Sequence, residues 1–178
     1  MISHADQALF QFIHGFAGRN VFLDYLFIFI AQYLPYLLVL AFLVLVYNQN
    51  GWRRKLYLFA EGALSVILAR GLITAAIHFF YVTERPFVVY NFTPLITESG
   101  SSFPSAHAAI FFALAMTTWY ANRMWGWWFF SLAVLMGIAR IYAGVHWPID
   151  VVVGAAIGLA SAVFMHWLLK KSRQGLSH

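Results

Sequence analysis

The chain has no cysteine. That excludes disulfides and thiolate metal sites, and it leaves the redox compartment unread. Charge is scarce too: Asp, Glu, Lys and Arg make up 10% of the 178 residues, against roughly 25% in soluble domains. What fills the chain instead is apolar, with 62% hydrophobic residues and a mean hydropathy of +0.75. This composition points to an integral membrane protein, read as one domain over 1–178. The net charge of +5 does not call for nucleic acid, because the bases fall where membrane topology puts them. The opening stretch MISHADQALFQFIHGFAG has neither a basic n-region nor a clean apolar run, so no signal peptide is expected.

The expected fold class is all-α, a multi-pass transmembrane bundle. Five apolar segments, roughly 21–47, 54–81, 105–121, 125–144 and 148–169, approach the ~20 residues a spanning helix needs. Ahead of them, Leu9, Phe10, Phe12, Ile13 and Phe16 alternate with polar residues at helical spacing. That pattern predicts an N-terminal helix lying on the membrane or packed on the bundle. Trp52, Trp125, Trp127, Trp128, Trp147 and Trp167 sit near the ends of apolar runs, as interfacial belts do. Arg53, Arg54, Lys55, Arg123, Lys170, Lys171 and Arg173 fall in connections on one side, which the positive-inside rule makes cytoplasmic. The loop near 82–104 and the turn Val145–Trp147 then meet on the outer side.

Ionisable residues gather on that outer side, where at membrane depth they mark function by default. HFFYVTERPF, His78 to Phe87, ends the second span, since Pro86 lacks an N–H and restricts Arg85. In SSFPSAHAAIFFALA, a polar loop runs into a helix that starts at Ser105, and a helix N-terminus suits a phosphate. In ARIYAGVHWPID, His146 precedes a helix with Pro148 in its first turn, and Asp150 follows four residues on, within reach of the imidazole. Two guanidiniums and a helix N-terminus make an oxyanion clamp. A His paired with a carboxylate makes an oriented nucleophile, and a second His can protonate a leaving oxygen. The set describes metal-free phosphoryl transfer through a phosphohistidine.

These blocks resemble the signature of the type 2 phosphatidic acid phosphatase superfamily: Lys-x6-Arg-Pro, then Pro-Ser-x-His, then Arg-x5-His-x3-Asp. Here they stand as Arg85–Pro86, Pro104–His107 and Arg140 to Asp150, in order. Within the superfamily, the short chain and SSFPSAH are most similar to bacterial undecaprenyl diphosphate phosphatases of the bacitracin-resistance type. The resemblance implies that His146 attacks phosphorus and Asp150 orients it. It implies that His107 protonates the leaving phosphate and later activates water. Arg85, Arg140, Ser105, the Ala106 amide and His78 would hold the oxygens. The implied substrate is a polyprenyl diphosphate or a phospholipid, hydrolysed without cofactor at the outer face of a bacterial cytoplasmic membrane. Phosphatidylglycerophosphate, phosphatidic acid, or transfer to a lipid acceptor are the alternatives.

One departure matters. Seven residues before Arg85, where the pattern has Lys, stands His78. An imidazole is largely uncharged at neutral pH, so His78 is either a clamp member that weakens as pH rises or a structural hydrogen-bond donor. A zinc site from His78, His107, His146 and Asp150 is allowed by ligand type, but the arginine pair would repel a cation, so no metal is expected. Glu84 and Glu98 read as solvated loop charges, with contact to a lipid diphosphate through Mg²⁺ or to Arg85 as the sharper alternative. Arg70 and Glu61 lie on nearly opposite faces of the second span, and Arg70 is expected to bind a carbonyl or another helix. His4, His14 and His166 read as ordinary surface or interface residues.

Overall fold

The computed structural model describes residues 3–175, side chains through 170. Among them every regular element is helical. Helix α1, His4–His14, starts where the Ser3 side chain accepts the Asp6 amide. Helix α2, Val21–Gln32, starts where Asn20 accepts the amides of Phe22 and Leu23. The segment read as one span over 21–47 is a bent pair: α2 and α3, Leu34–Tyr47, meet at 44°. Pro35 in the first turn of α3 cannot donate a hydrogen bond back into α2, which places the break.

Helix α4, Trp52–Phe80, is continuous, but its stretch Ile67–Thr74 is π-helical. After the short α5, Pro86–Val89, and a long loop come α6, Ala106–Ala121, α7, Arg123–Tyr142, and α8, Pro148–Gly175. Asn122 caps the amide of Trp125, so α6 turns into α7 within one residue. Three helices, α4, α7 and α8, are long and apolar enough to cross a membrane, and the bent α2–α3 pair can serve as a fourth span. Helix α6 is shorter, at 16 residues.

Helix α6 is the axis of the bundle, packed on α4, α7 and α8. Its Ala108, Ala109, Ala113 and Ala115 are fully buried. A β-carbon on Gly154 of α8 would strike the Ser105 carbonyl, and one on Gly158 would strike the Ala109 carbonyl. Small residues on both faces thus let two backbones touch, the usual device for helix association in lipid. The GAAIG spacing, residues 154 to 158, carries this in the sequence. The contact has a consequence for the site, because Ser105 is part of it and Asp150 lies one turn before Gly154. Gly154→Val is expected to push α8 from α6, costing about 1–3 kcal/mol by overpacking. A lowered thermal midpoint in detergent would register it.

Helix α1 packs on the bundle rather than only lying beside it. Phe10 is 1% exposed and stacks near Trp147, at 5.1 Å between ring centroids. Asp6 accepts the Ile149 amide at 2.8 Å. Phe12 and Phe16 stay exposed, on a lipid-facing side. Trp147 departs from the expected belt: it is buried, and its indole N–H donates to the Glu84 carbonyl, whereas the other five named tryptophans are exposed.

Two further expectations change. Arg70 lies half-buried in the π-helical stretch and makes no hydrogen bond or ion pair among the described residues, so the expected carbonyl or helix contact is not made. His166 is no ordinary surface residue: its Nδ1 is 2.8 Å from Glu61 Oε1, and its ring stacks on Tyr120. The partner of Glu61 lies more than a hundred residues away in the chain, so no local pattern shows it.

Candidate active site

The end of α4, the start of α6, the end of α7 and the start of α8 meet at one end of the bundle. The loops between them are stitched together by backbone groups. Ser102 donates its amide to the Thr83 carbonyl, and Phe103 donates its amide to Thr83 Oγ1. Leu95 donates to the Ala143 carbonyl. Arg85 precedes a proline and is therefore extended, which aims its side chain inward. The guanidinium is buried and gives four bonds, to the carbonyls of Ser99, Gly100, Ser101 and Val145. Arg85 thus ties the 99–101 loop to the turn that carries His146, with one of its five N–H groups left over.

That turn needs Gly144, whose φ of +84° disfavours any side chain. His146 follows, 3% exposed. Pro148 opens α8, and the Asp150 carboxylate accepts the Trp147 amide at 2.9 Å, a reciprocal cap of the helix start. The same oxygen, Oδ2, accepts the Ser102 hydroxyl at 2.5 Å and lies 3.4 Å from His146 Nδ1. Asp150 is therefore held by two donors and aimed at the imidazole. Ser102 is a site residue that the sequence reading passed over. It stands inside SSFPSAH, but nothing in its spacing says that this loop folds against α8.

On its other side His146 faces Arg140, in the last turn of α7. Arg140 Nη2 is 3.4 Å from His146 Nε2, while Arg140 itself is 2% exposed. His146 Nδ1 is buried and makes no hydrogen bond among the described residues, with Asp150 Oδ2 3.4 Å away. Burial, reinforced by the Arg140 and Arg85 charges, drives the His146 pKa well below its ordinary value. A group depressed in the folded state takes up protons first in the unfolded chain. Stability is therefore expected to fall as pH drops below about 6.5, until His146 itself protonates. Thermal midpoints across pH 7 to 5 check this, and His146→Gln should flatten the slope.

Glu98 is not the solvated loop charge that its neighbourhood suggests. Its carboxylate makes a short ion pair with Arg140 and lies 3.7 Å from Arg85 Nη2. Burial raises its pKa, but the two guanidiniums more than reverse this and hold it below the ordinary carboxylate value. Glu84 stays exposed, as expected of a loop charge. Arg140 Nε is buried without a partner among the described residues, an unmet donor beside a captured carboxylate.

His107, in the first turn of α6, lines a cavity of about 420 Å³ with Glu98 and Arg140. The cavity continues between the α2–α3 elbow, at Pro35, Tyr36 and Val39, and α6, at Ile110 and Phe111. Ser105 caps α6 by accepting the Ala108 amide, and its own amide donates to the Asp150 carbonyl, which joins the starts of α6 and α8. Ala106 opens the helix beside it. His78 reaches the same loop, but its Nε2 is 2.9 Å from the Pro104 carbonyl. That contact is the hydrogen-bond-donor reading of His78, and a neutral ring so engaged has no donor left for a phosphate. Among the described residues, no group of three or more His, Asp or Glu side chains could hold a metal ion.

Comparison with known proteins gives the same direction. The chain is 33% identical to the bacitracin transport permease protein BcrC of Bacillus licheniformis, over 91% of this chain and 79% of that one. It is 32% identical to the undecaprenyl-diphosphatase BcrC of Bacillus subtilis, over 80% and 73%. The crystal structure of Aquifex aeolicus LpxE superposes with a TM-score of 0.77 at 26% identity, covering 92% of this chain and 95% of that one. The family profile of the PAP2 superfamily matches residues 59–174, the region that contains all three blocks, and the chain belongs to that superfamily.

Proposed function

We propose that the protein is a membrane lipid phosphatase that hydrolyses undecaprenyl diphosphate to undecaprenyl phosphate and phosphate, without a metal, through a phosphohistidine on His146. The observation that carries this reading is His146 itself. It is buried, with Asp150 Oδ2 3.4 Å from one ring nitrogen and Arg140 Nη2 3.4 Å from the other. The name of the Bacillus subtilis relative, matched over 80% of this chain, supports the diphosphate substrate.

In this mechanism the terminal phosphate enters between Arg140 and the start of α6, displacing Glu98. Arg140, the remaining N–H of Arg85, the Ser105 hydroxyl and the Ala106 amide hold its non-bridging oxygens. His146 Nε2 forms the new P–N bond as the P–O bond to undecaprenyl phosphate breaks, and Asp150 balances the charge that grows on the ring. His107 gives its proton to the leaving oxygen. It then takes one from water, which attacks the phosphohistidine and frees phosphate. The polyprenyl tail leaves sideways along the groove between the α2–α3 elbow and α6, whose Tyr36 and Val39 face lipid. With the bases of α4, α7 and α8 on the cytoplasmic side, the site faces outward from a bacterial cytoplasmic membrane.

The test is phosphate release by the purified protein in excess EDTA, with undecaprenyl diphosphate, phosphatidylglycerophosphate and phosphatidic acid offered side by side and His146→Ala as control. Fastest release from undecaprenyl diphosphate, unaffected by EDTA, is expected. Preference for either glycerolipid moves the substrate but keeps the chemistry. Transfer to an added lipid acceptor in place of release identifies a phosphotransferase, and loss of activity in EDTA sinks the metal-free mechanism.

A further inference from the structure

At the opposite end of the bundle from His146 lies a larger cavity, about 700 Å³, which the phosphatase chemistry does not use. Arg53, Arg54, Glu61, Tyr120 and His166 line it. Glu61 is 2% exposed, and a buried carboxylate within a membrane helix is expensive unless paired. Its side-chain partner is His166, with Nδ1 at 2.8 Å. The imidazole also stacks on Tyr120, with ring centroids 3.8 Å apart and planes 17° from parallel. Carboxylate and stack together fix the ring. His166 Nε2 has no partner among the described residues, on a ring that lines the cavity.

Above this pair sit Arg53 and Arg54, both exposed, in the first turn of α4. Lys55 is next to them, no acidic residue shares that turn, and no side chain caps it. Three bases therefore stand at the positive end of a helix dipole, where each is disfavoured and an anion is favoured. Topology explains why bases lie at this end, as Arg123 and Lys170 also do. It does not explain the cavity, which neither of those two lines, or the carboxylate–imidazole pair inside it. Leu56, another lining residue, is 53% exposed, so the cavity opens onto the apolar flank of the bundle.

We infer that this cavity binds the phosphate headgroup of an anionic membrane phospholipid. Arg53 and Arg54 supply charge-assisted bonds to the phosphate oxygens, His166 Nε2–H supplies a third donor from within, and the acyl chains follow the lipid-facing side past Leu56. The site is separate from the hydrolytic one and does not depend on its chemistry.

The experiment uses the full chain purified in detergent, with phosphatidylglycerol or phosphatidylcholine added, read by lipid retention in native mass spectrometry and by the thermal midpoint. Phosphatidylglycerol is expected to be retained and to raise the midpoint more than phosphatidylcholine does. In R53Q/R54Q, and separately in His166→Ala, its retention should weaken about tenfold, the loss of one or two charge-assisted bonds. Each variant is compared with its own midpoint in phosphatidylcholine, so a general loss of stability does not imitate the effect. Arg123→Gln, at the same end but outside the cavity, should retain the lipid as the wild type does. Equal retention of the two lipids, an Arg123→Gln loss as large as that of R53Q/R54Q, or an equal stabilisation by millimolar inorganic phosphate alone would each overturn the assignment to a lipid.

Discussion

His146→Ala is expected to lower phosphate release by at least about 10,000-fold, the scale on which removal of a covalent nucleophile acts. Retention of the lipid substrate should change little, because Arg140, Arg85 and the start of α6 remain. Asp150→Asn is expected to lose less, about 100- to 10,000-fold, because the amide keeps the shape but cannot balance an imidazolium. Asp150 has two structural donors, Ser102 Oγ and the Trp147 amide. Both bond the same oxygen, so the asparagine carbonyl oxygen can still accept from them, and the Asp150→Asn midpoint reports the structural share and its rate the chemical share. A direct check stops the wild-type reaction in alkali with labelled diphosphate. Label should stay on the protein in alkali and leave in acid, as a phosphohistidine requires. His146→Ala turning over within tenfold of the wild type would end this mechanism.

How much of this was legible beforehand depends on whether a feature is local or distant. The helical class, the apolar spans and the convergence of three polar blocks at one end follow from hydropathy, two prolines and the placement of bases. Each is a property of a short window. The break at Gln32–Leu34 was not anticipated, although Pro35 supplies its cause. Proline at a helix start and proline within a helix look alike in a sequence that stays apolar on both sides. The Gly154–Gly158 contact was available as spacing, but two glycines in a span identify a close approach only when the facing helix is also small, as Ala109 and Ala113 make α6. Ser102 and the Glu61 partner of His166 could not be found locally at all, and of the Glu98 contacts only the one to Arg85 was anticipated, as the sharper alternative. Ser102 meets Asp150 and Glu98 meets Arg140 only because the loop before α6 folds across the starts of two helices. His78 illustrates the reverse: its position matched the family pattern, but Pro104 takes the donor that a phosphate would need.

Arg140 carries the second large effect, and Glu98 should move the other way. Arg140→Ala removes both a guanidinium beside His146 Nε2 and the unpartnered Nε donor. Loss of one such preorganised oxyanion donor costs about 100- to 1,000-fold in rate, so kcat/KM is expected to fall at least that far. Arg140→Lys should recover little of it. Lysine keeps the charge and can still meet Glu98, but it lacks the fork that holds two oxygens at once. Glu98 lies on the same guanidinium and 3.7 Å from Arg85, where the substrate phosphate must go. A carboxylate in that position preserves the charge balance of a buried cation pair, and it competes with every anion that arrives. Glu98→Gln removes the competing charge while keeping the size. The expected result is a lower KM and tighter inhibition by phosphate, by about tenfold for a difference near 1.4 kcal/mol, with kcat changed less. If Glu98→Gln instead raises KM as Arg140→Ala does, the carboxylate touches the substrate rather than standing in for it, and the clamp would have to be redrawn with Glu98 as a member.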